Sequence, residues 1–176
     1  MFVAGKAKKG DILLYKPTGG IIGKLIAFLS YGGKYAHAAL YLGNNKIIES
    51  HIDTGVVQKA LNPKWHKYID VYRVNLGHTS TQTNKFVKKA LDKVGAGYDL
   101  GAFPSTFCKS VLARIFGFKN FAKAKPILND EKTFYCSELI SVALYEATMI
   151  SIVPYVNPSS TTPSDLAFTQ LTSLVC

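Results

Sequence analysis

The sequence is poor in cysteine and has no long hydrophobic run. Its 176 residues include three cysteines, which cannot all pair within one chain, and none shows the C-x-x-C spacing of a zinc site or redox motif. No apolar run reaches the roughly 18 residues that a membrane span needs. Hydrophobic residues make up 48% of the chain and charged ones 18%, as is typical of folded proteins. We therefore expect a single domain, residues 1–176, with free thiols in a reducing compartment.

Acidic residues are also scarce. Aspartate and glutamate number 11 against 21 lysines and arginines, so the formal net charge is +10. This charge predicts contact with an anionic surface: a cell-wall polymer, a membrane or nucleic acid. Nucleic acid is the least favoured, because no aromatic residues interleave the lysines of 85–93 and 119–125 in a stacking pattern. Residues 1–11 lack the order of a secretory signal, which predicts a cytoplasmic protein and leaves delivery to the cell wall by another route open.

The pattern of apolar and turn-forming residues predicts an α+β fold. Strands are expected at 10–15, 35–42, 46–51, 55–59 and 68–74, and helices at 20–31, 79–94, about 107–116 and 133–147. The helices lie on either side of the strand-rich part and do not alternate with the strands, so we predict an antiparallel sheet packed by helices. The proline-containing tail after residue 153 is expected to wrap the surface with little regular structure.

Cys136 lies in the stretch TFYCSELI, residues 133–140, where the last predicted helix begins. Thr133 suits the N-cap position, which would make Cys136 the third helical residue. There the helix macrodipole favours a thiolate, the nucleophilic form of cysteine. The spacing of Cys136 to Leu139 and Ile140 also puts it on the apolar face, so a buried core cysteine is the alternative interpretation.

A nucleophilic cysteine needs an imidazole, and His37 is the best candidate among the four histidines. It lies in a predicted strand among alanines, which leave room for a second group to approach. If 43–45 form a three-residue loop, Glu49 is a diagonal neighbour of His37 on the same face and His51 lies directly opposite. A two-residue turn would put Glu49 on the other face. Glu49, His51 and, more weakly, Asp53 are thus rival partners for the imidazole.

Four motifs in this order resemble the NlpC-type papain-like cysteine peptidases. They are Gly10-Asp-Ile-Leu-Leu, Tyr35-Ala-His-Ala-Ala-Leu-Tyr-Leu-Gly43, Ile47-Ile-Glu-Ser and Phe134-Tyr-Cys-Ser-Glu-Leu139. Because the histidine strand precedes the cysteine helix, the chain is most similar to the circularly permuted branch, which includes YiiX-like bacterial proteins and poxvirus relatives. The resemblance spans residues 10–140 and implies a permuted papain-like fold with the cysteine at a helix N-terminus.

The resemblance also implies the roles of individual residues. Cys136 matches the nucleophile, His37 the general base and Glu49 the third member of a Cys-His-Glu triad that hydrolyses an amide or ester through a thioester. Tyr98 matches a tyrosine that often lines the pocket, with core packing as its alternative, and Tyr135 is assigned with it to substrate binding. Substrates in the family include cell-wall peptides and N-acyl or lipid amides, and the chemistry needs no metal or cofactor.

Two departures from the family pattern concern the substrate groove. Alanine stands near the start of the histidine strand where glycine is common, which narrows access, and the insert 103–132 has no family pattern. A non-catalytic binding or structural protein on the same fold is the alternative function. In that case Cys136 is a core residue and His37 a partnered structural histidine. The sequence leaves open the substrate, the oligomeric state and the choice between peptidase, amidase and acyltransferase.

Overall fold

The structure is a computed structural model that describes residues 5–18, 33–75, 79–99, 133–154 and 156–176. The predicted helices at 20–31 and about 107–116, and the insert 103–132 with its basic stretch 119–125, lie outside these residues. The strands are β1 (Ile12–Tyr15), β2 (His37–Gly43), β3 (Lys46–His51), β4 (Gly55–Ala60), β5 (Ile69–Val74) and β6 (Thr172–Leu174). The α-helices are α1 (Ser80–Leu91) and α2 (Cys136–Thr148), and 3₁₀-helices span Pro63–Tyr68 and Pro158–Ser160.

The six strands form one sheet in the order β4-β3-β2-β1-β5-β6. Every neighbouring pair is antiparallel, so the predicted α+β class with an antiparallel sheet is confirmed. The sequence pattern does not predict β6, because its three residues carry no alternating apolar pattern. Backbone pairing extends past this strand, since the Val71 N–H donates to the Cys176 carbonyl at 2.7 Å. The tail thus adds an edge strand where little regular structure was expected.

Alternation along the strands separates two apolar layers. Ile12 and Leu14 of β1 face the layer into which α1 and α2 pack, and Leu13 and Tyr15 face the opposite layer. The helices contribute these buried side chains: Phe86, Val87 and Ala90 from α1, and Leu139, Ile140, Ala143, Leu144 and Ala147 from α2. Burying these apolar faces is what holds the sheet and helices together. No helix in the described part of the chain is long and apolar enough to cross a membrane.

Helix α1 is shorter than the sequence pattern predicts. It begins with a capping box in which the Gln82 N–H donates to the Thr79 hydroxyl and the Thr79 N–H donates to the Gln82 side chain. It ends at Leu91, and residues 92–95 form a turn that leaves Val94 49% exposed. The predicted end at Val94 is therefore wrong, since the chain turns there to bring residues 95–96 beside β4.

Candidate active site

Helix α2 begins at Cys136 itself. The N-cap is Tyr135, whose extended backbone (φ −91°, ψ 171°) precedes the first helical residue. The predicted N-cap at Thr133 is wrong, because Thr133 instead forms a parallel β-bridge with Gly97. The Phe134 N–H also donates to the Gly97 carbonyl, at 3.0 Å. Cys136 is thus the first residue of the helix and not the third. At this first position its own N–H has no carbonyl partner within the helix.

The β2–β3 hairpin puts His37 and Glu49 on one face of the sheet. Residues 44–45 form a two-residue turn in which both asparagines have positive φ, 50° and 57°. The register then shifts by one residue between Tyr41 and Gly43, which is a β-bulge. The bulge compensates for the short turn and restores the alignment expected from a three-residue loop. The expectation that a two-residue turn would turn Glu49 away was wrong, because it did not allow for this extra residue.

Glu49 is the partner of His37. The His37 Nε2 and the Glu49 Oε2 are 3.1 Å apart, and the Glu49 side chain is only 4% exposed. The ring of His51, the rival partner, is centred 6.3 Å from that of His37. Its Nδ1 instead lies 3.4 Å from the exposed carboxylate of Asp53. Both rivals are therefore paired with each other, and Glu49 fixes the imidazole.

The thiol of Cys136 is the second partner of His37. Partial burial lowers the pKa of His37, but the charge of the Cys136 thiolate and hydrogen bonds with Cys136 and Glu49 outweigh that effect and raise it to about 10. Because Nε2 faces Glu49, Nδ1 is the ring atom left to exchange a proton with the thiol. Cys136 is 5% exposed, as a core cysteine would be, yet its neighbour is an imidazole.

Lys59 of β4 completes the group and was missed by the sequence analysis. Its ammonium forms an ion pair with Glu49 Oε1. Burial raises the pKa of Glu49, but the hydrogen bonds and positive charges of His37 and Lys59 lower it to about 2, so the carboxylate stays ionised across the working pH range. The β3–β4 register pairs Glu49 with Val57, which makes Lys59 a diagonal neighbour. Only that register could have revealed it from sequence.

Tyr98 lies close to the cysteine. It follows Gly97, whose backbone is hydrogen-bonded to Phe134 just before the helix. Burial raises the pKa of Tyr98, and the negative charges of Cys136, Asp99 and Glu138 raise it further. The half-buried phenol therefore keeps its proton and is available near the thiol as a hydrogen-bond donor.

Tyr135 is buried in the structure, whereas the family resemblance assigns it to substrate binding. Its side chain is only 1% exposed, and its hydroxyl donates to the Ser159 carbonyl at 2.9 Å. A tyrosine ring buried with its hydroxyl satisfied by the backbone has no free surface for a ligand. This hydrogen bond ties the residue before α2 to the tail, and the substrate-binding role of Tyr135 stays a prediction that its burial does not favour.

Ser50 connects the histidine hairpin to the cysteine helix. This fully buried side chain, next to Glu49 in β3, donates to the Phe134 carbonyl at 2.5 Å. We expect Ser50→Ala to lower the free energy of unfolding by about 1–3 kcal/mol, the cost of leaving a buried polar group without its partner. Urea denaturation would measure the change. Ser173→Ala is the matched control, because its hydroxyl bonds the exposed Asn75 side chain and should change stability little; equal losses in both variants would contradict the assigned role.

Within the described residues, no group of three or more His, Cys, Asp or Glu side chains is arranged to hold a metal ion. A surface cavity of about 870 Å³ lies along the 3₁₀-helix Pro63–Tyr68 and includes Thr18 and Asn62. None of the residues around Cys136 lines it.

The model of the permuted papain-like amidases, the YaeF/YiiX, C92 family, matches residues 6–126. The chain belongs to this family. The match includes His37 and Glu49 and ends before Cys136. Membership of the permuted papain-like amidases confirms the resemblance read from the four motifs and places the chain in a family of amidase-type hydrolases.

A solved structure shows the same fold over nearly the whole chain. The crystal structure of metalloprotein yiiX from Escherichia coli O157:H7 superposes with a TM-score of 0.66 and 16% sequence identity, covering 97% of each chain. That overlap extends past residue 126 and includes α2, so the permuted papain-like fold is confirmed. At this identity the likeness concerns the fold alone. No curated protein matches the sequence significantly.

Proposed function

We propose that this permuted papain-like amidase is a cysteine hydrolase that cleaves an amide or ester bond through a thioester on Cys136. The observation that carries the proposal is the chain of contacts from thiol to imidazole to buried carboxylate. Glu49 is held ionised beside His37, and His37 in turn contacts Cys136. A nucleophile, a base and a group that orients the base make up the minimal machinery of covalent acyl transfer.

The reaction proceeds in two halves. His37 takes the thiol proton, and the thiolate attacks the carbonyl carbon of the substrate. The resulting oxyanion is stabilised by the free N–H of Cys136 at the start of α2. The imidazolium then gives its proton to the leaving nitrogen or oxygen as the tetrahedral intermediate collapses to a thioester. In the second half His37 takes a proton from water, the hydroxide attacks the thioester, and the acid leaves as the thiol is restored.

Glu49 acts by holding the ring and not by exchanging protons. Its pKa of about 2 keeps it a carboxylate, so it accepts a hydrogen bond from the Nε2–H throughout and leaves Nδ1 to face the thiol. Tyr98, next to the thiol, is proposed to contact the substrate. The substrate is an amide on an anionic surface, a cell-wall peptide or an N-acyl lipid, because a net charge of +10 favours both settings.

Alkylation of Cys136 tests the pairing with His37 without a known substrate. In a chain with Cys108 and Cys176 changed to serine, iodoacetamide should react quickly with Cys136 at neutral pH. We expect His37→Ala to slow this reaction by at least about tenfold, because the imidazolium that stabilises the thiolate is removed. Mass spectrometry of the alkylated protein follows the rate.

His51→Ala is the matched control for that experiment, since His51 lies in the same hairpin and pairs with Asp53. Its alkylation rate should equal that of the parent. If Cys136 reacts only after unfolding, or reacts equally with and without His37, the cysteine is a core residue. The chain would then be a non-catalytic member of its family.

A further inference from the structure

Glu138 is a buried acid in the first turn of the helix that Cys136 begins. Glu138 is only 1% exposed, and its Oε2 accepts a hydrogen bond from the Tyr135 N–H at 3.2 Å. The other oxygen, Oε1, is sealed from solvent and accepts no hydrogen bond of normal geometry from the described residues. A buried carboxylate oxygen without a donor is costly, whereas a neutral carboxyl tolerates the same site.

The groups around Glu138 come from three parts of the chain. Asp99, 4% exposed, and the phenol of Tyr98 approach from the segment bridged to Thr133. Ser159 approaches from the tail, and Lys93 from the turn after α1. Lys93 is already committed to Glu146, at 2.8 Å. Glu138 therefore faces a second carboxyl, and the ammonium that acts on it is shared with Glu146.

We propose that Glu138 is a positioning residue that holds a proton in the first turn of the helix that the nucleophile begins, and that its neutral carboxyl is the working form of the enzyme. This inference rests on the proposed function of Cys136 and adds a regulation of it by pH. Loss of the Glu138 proton to solvent places a second negative charge in the first turn of α2, two residues from the thiolate.

The pKa of Glu138 lies just above neutral pH. Burial, together with the Asp99 carboxyl, raises the pKa of Glu138 by more than the Tyr135 N–H, the Ser159 hydroxyl and the Lys93 ammonium lower it, and the resulting pKa is about 8. Below that pH the carboxyl keeps its proton; above it the carboxylate forms. The neutral form is therefore the majority form at neutral pH, which is unusual for a glutamate.

Ionisation of Glu138 opposes catalysis at two points. A carboxylate in the first turn cancels part of the positive helix terminus that stabilises the thiolate. It also repels the oxyanion that forms at the Cys136 N–H. We expect the acylation rate to fall by about tenfold as pH rises through about 8, the pKa of Glu138. A tenfold change corresponds to an interaction of about one pKa unit between the Glu138 carboxylate and the reacting groups.

The test compares Glu138→Gln with Glu146→Gln. Glutamine has the shape of neutral glutamic acid and can accept the Tyr135 N–H, but it cannot ionise. Glu146 lies in the same helix with a 37% exposed side chain. The readout is the rate of Cys136 acylation by p-nitrophenyl acetate across the neutral and alkaline range. We expect Glu138→Gln to keep the rate of the parent at neutral pH and to lose the step near pH 8. Glu146→Gln should keep the step and move it to lower pH, because it releases Lys93, whose ammonium lowers the pKa of Glu138.

Infrared difference spectra test the proton directly and do not depend on reactivity. We expect a carboxylic-acid carbonyl band that titrates near pH 8, persists in Glu146→Gln and disappears in Glu138→Gln. A second variant, Asp99→Asn, removes the like charge and should move the step to lower pH. Absence of the band in a protein whose Cys136 is acylated overturns this inference and leaves the proposed function standing. A band with no acylation of Cys136 overturns the proposed function instead.

Discussion

Changing Cys136 to alanine should reduce hydrolysis of p-nitrophenyl acetate by at least about 10³-fold, because the nucleophile of the thioester pathway is removed. The fold should survive, since the change is small and leaves the rest of α2 intact. The measurement is the rate of p-nitrophenol release, together with the mass of the intact protein. The wild type should gain one acetyl group under conditions where deacylation is slow, and the alanine variant should gain none.

Cys176→Ala is the control for that variant, because Cys176 is a free, partly exposed cysteine far along the chain, next to the end of β6. It should hydrolyse the ester at the wild-type rate. Equal activity of the Cys136 and Cys176 variants would contradict a nucleophilic role for Cys136. Acetylation of Cys176 in the wild type would show that the ester reports only general thiol reactivity.

Changing Glu49 to glutamine should lower the acylation rate by about 10²–10⁴-fold. A neutral amide cannot hold the His37 proton on Nε2 as strongly, so the ring is left in the wrong tautomer or orientation for part of the time. The pH profile should change as well. His37, whose pKa is raised to about 10, loses its proton as pH rises through that value. Removing the negative charge of Glu49 lowers the pKa of His37. The step in the pH–rate profile that reports loss of the His37 proton should therefore move to lower pH.

Asp53→Asn is the matched control, since Asp53 is a carboxylate at the end of the same hairpin, pairs with His51 and is 79% exposed. Its rate and profile should be those of the wild type. Thermal unfolding should be followed in parallel, because Glu49→Gln also removes the partner of Lys59. A Glu49 variant that is folded and fully active, with an unchanged alkaline step, would exclude Glu49 from the triad.

The order of elements and the inward face of the cysteine helix could be predicted from the sequence because both depend on local patterns. Alternation of apolar residues defines strands, and the spacing of Leu139, Ile140 and Ala143 defines the inward face of α2. The same local patterns failed at element ends. Thr133 has the chemistry of an N-cap but is used in a β-bridge with Gly97, a contact between residues distant in sequence.

The relation of His37 to Glu49 was predicted only as one of several possibilities. It depends on register, and register depends on a bulge between Tyr41 and Gly43 that no local residue pattern specifies. The burial of Tyr135 likewise depends on packing against Ser159 of the tail. In both cases the deciding partner is set by how separate elements align, which a single sequence does not reveal.

By itself, then, the sequence determined the permuted order of histidine strand and cysteine helix, the antiparallel α+β class and the candidate pair of Cys136 and His37. Only the tertiary structure decided that Glu49 and not His51 contacts the imidazole, that Lys59 forms an ion pair with Glu49, and that Asp99 comes close to Glu138. The physical reason is the separation along the chain of the residues that interact. Periodicity is written into neighbouring residues, whereas charge pairs across strands and between a loop and a helix form only after the sheet has fixed its register and the helices have packed against it.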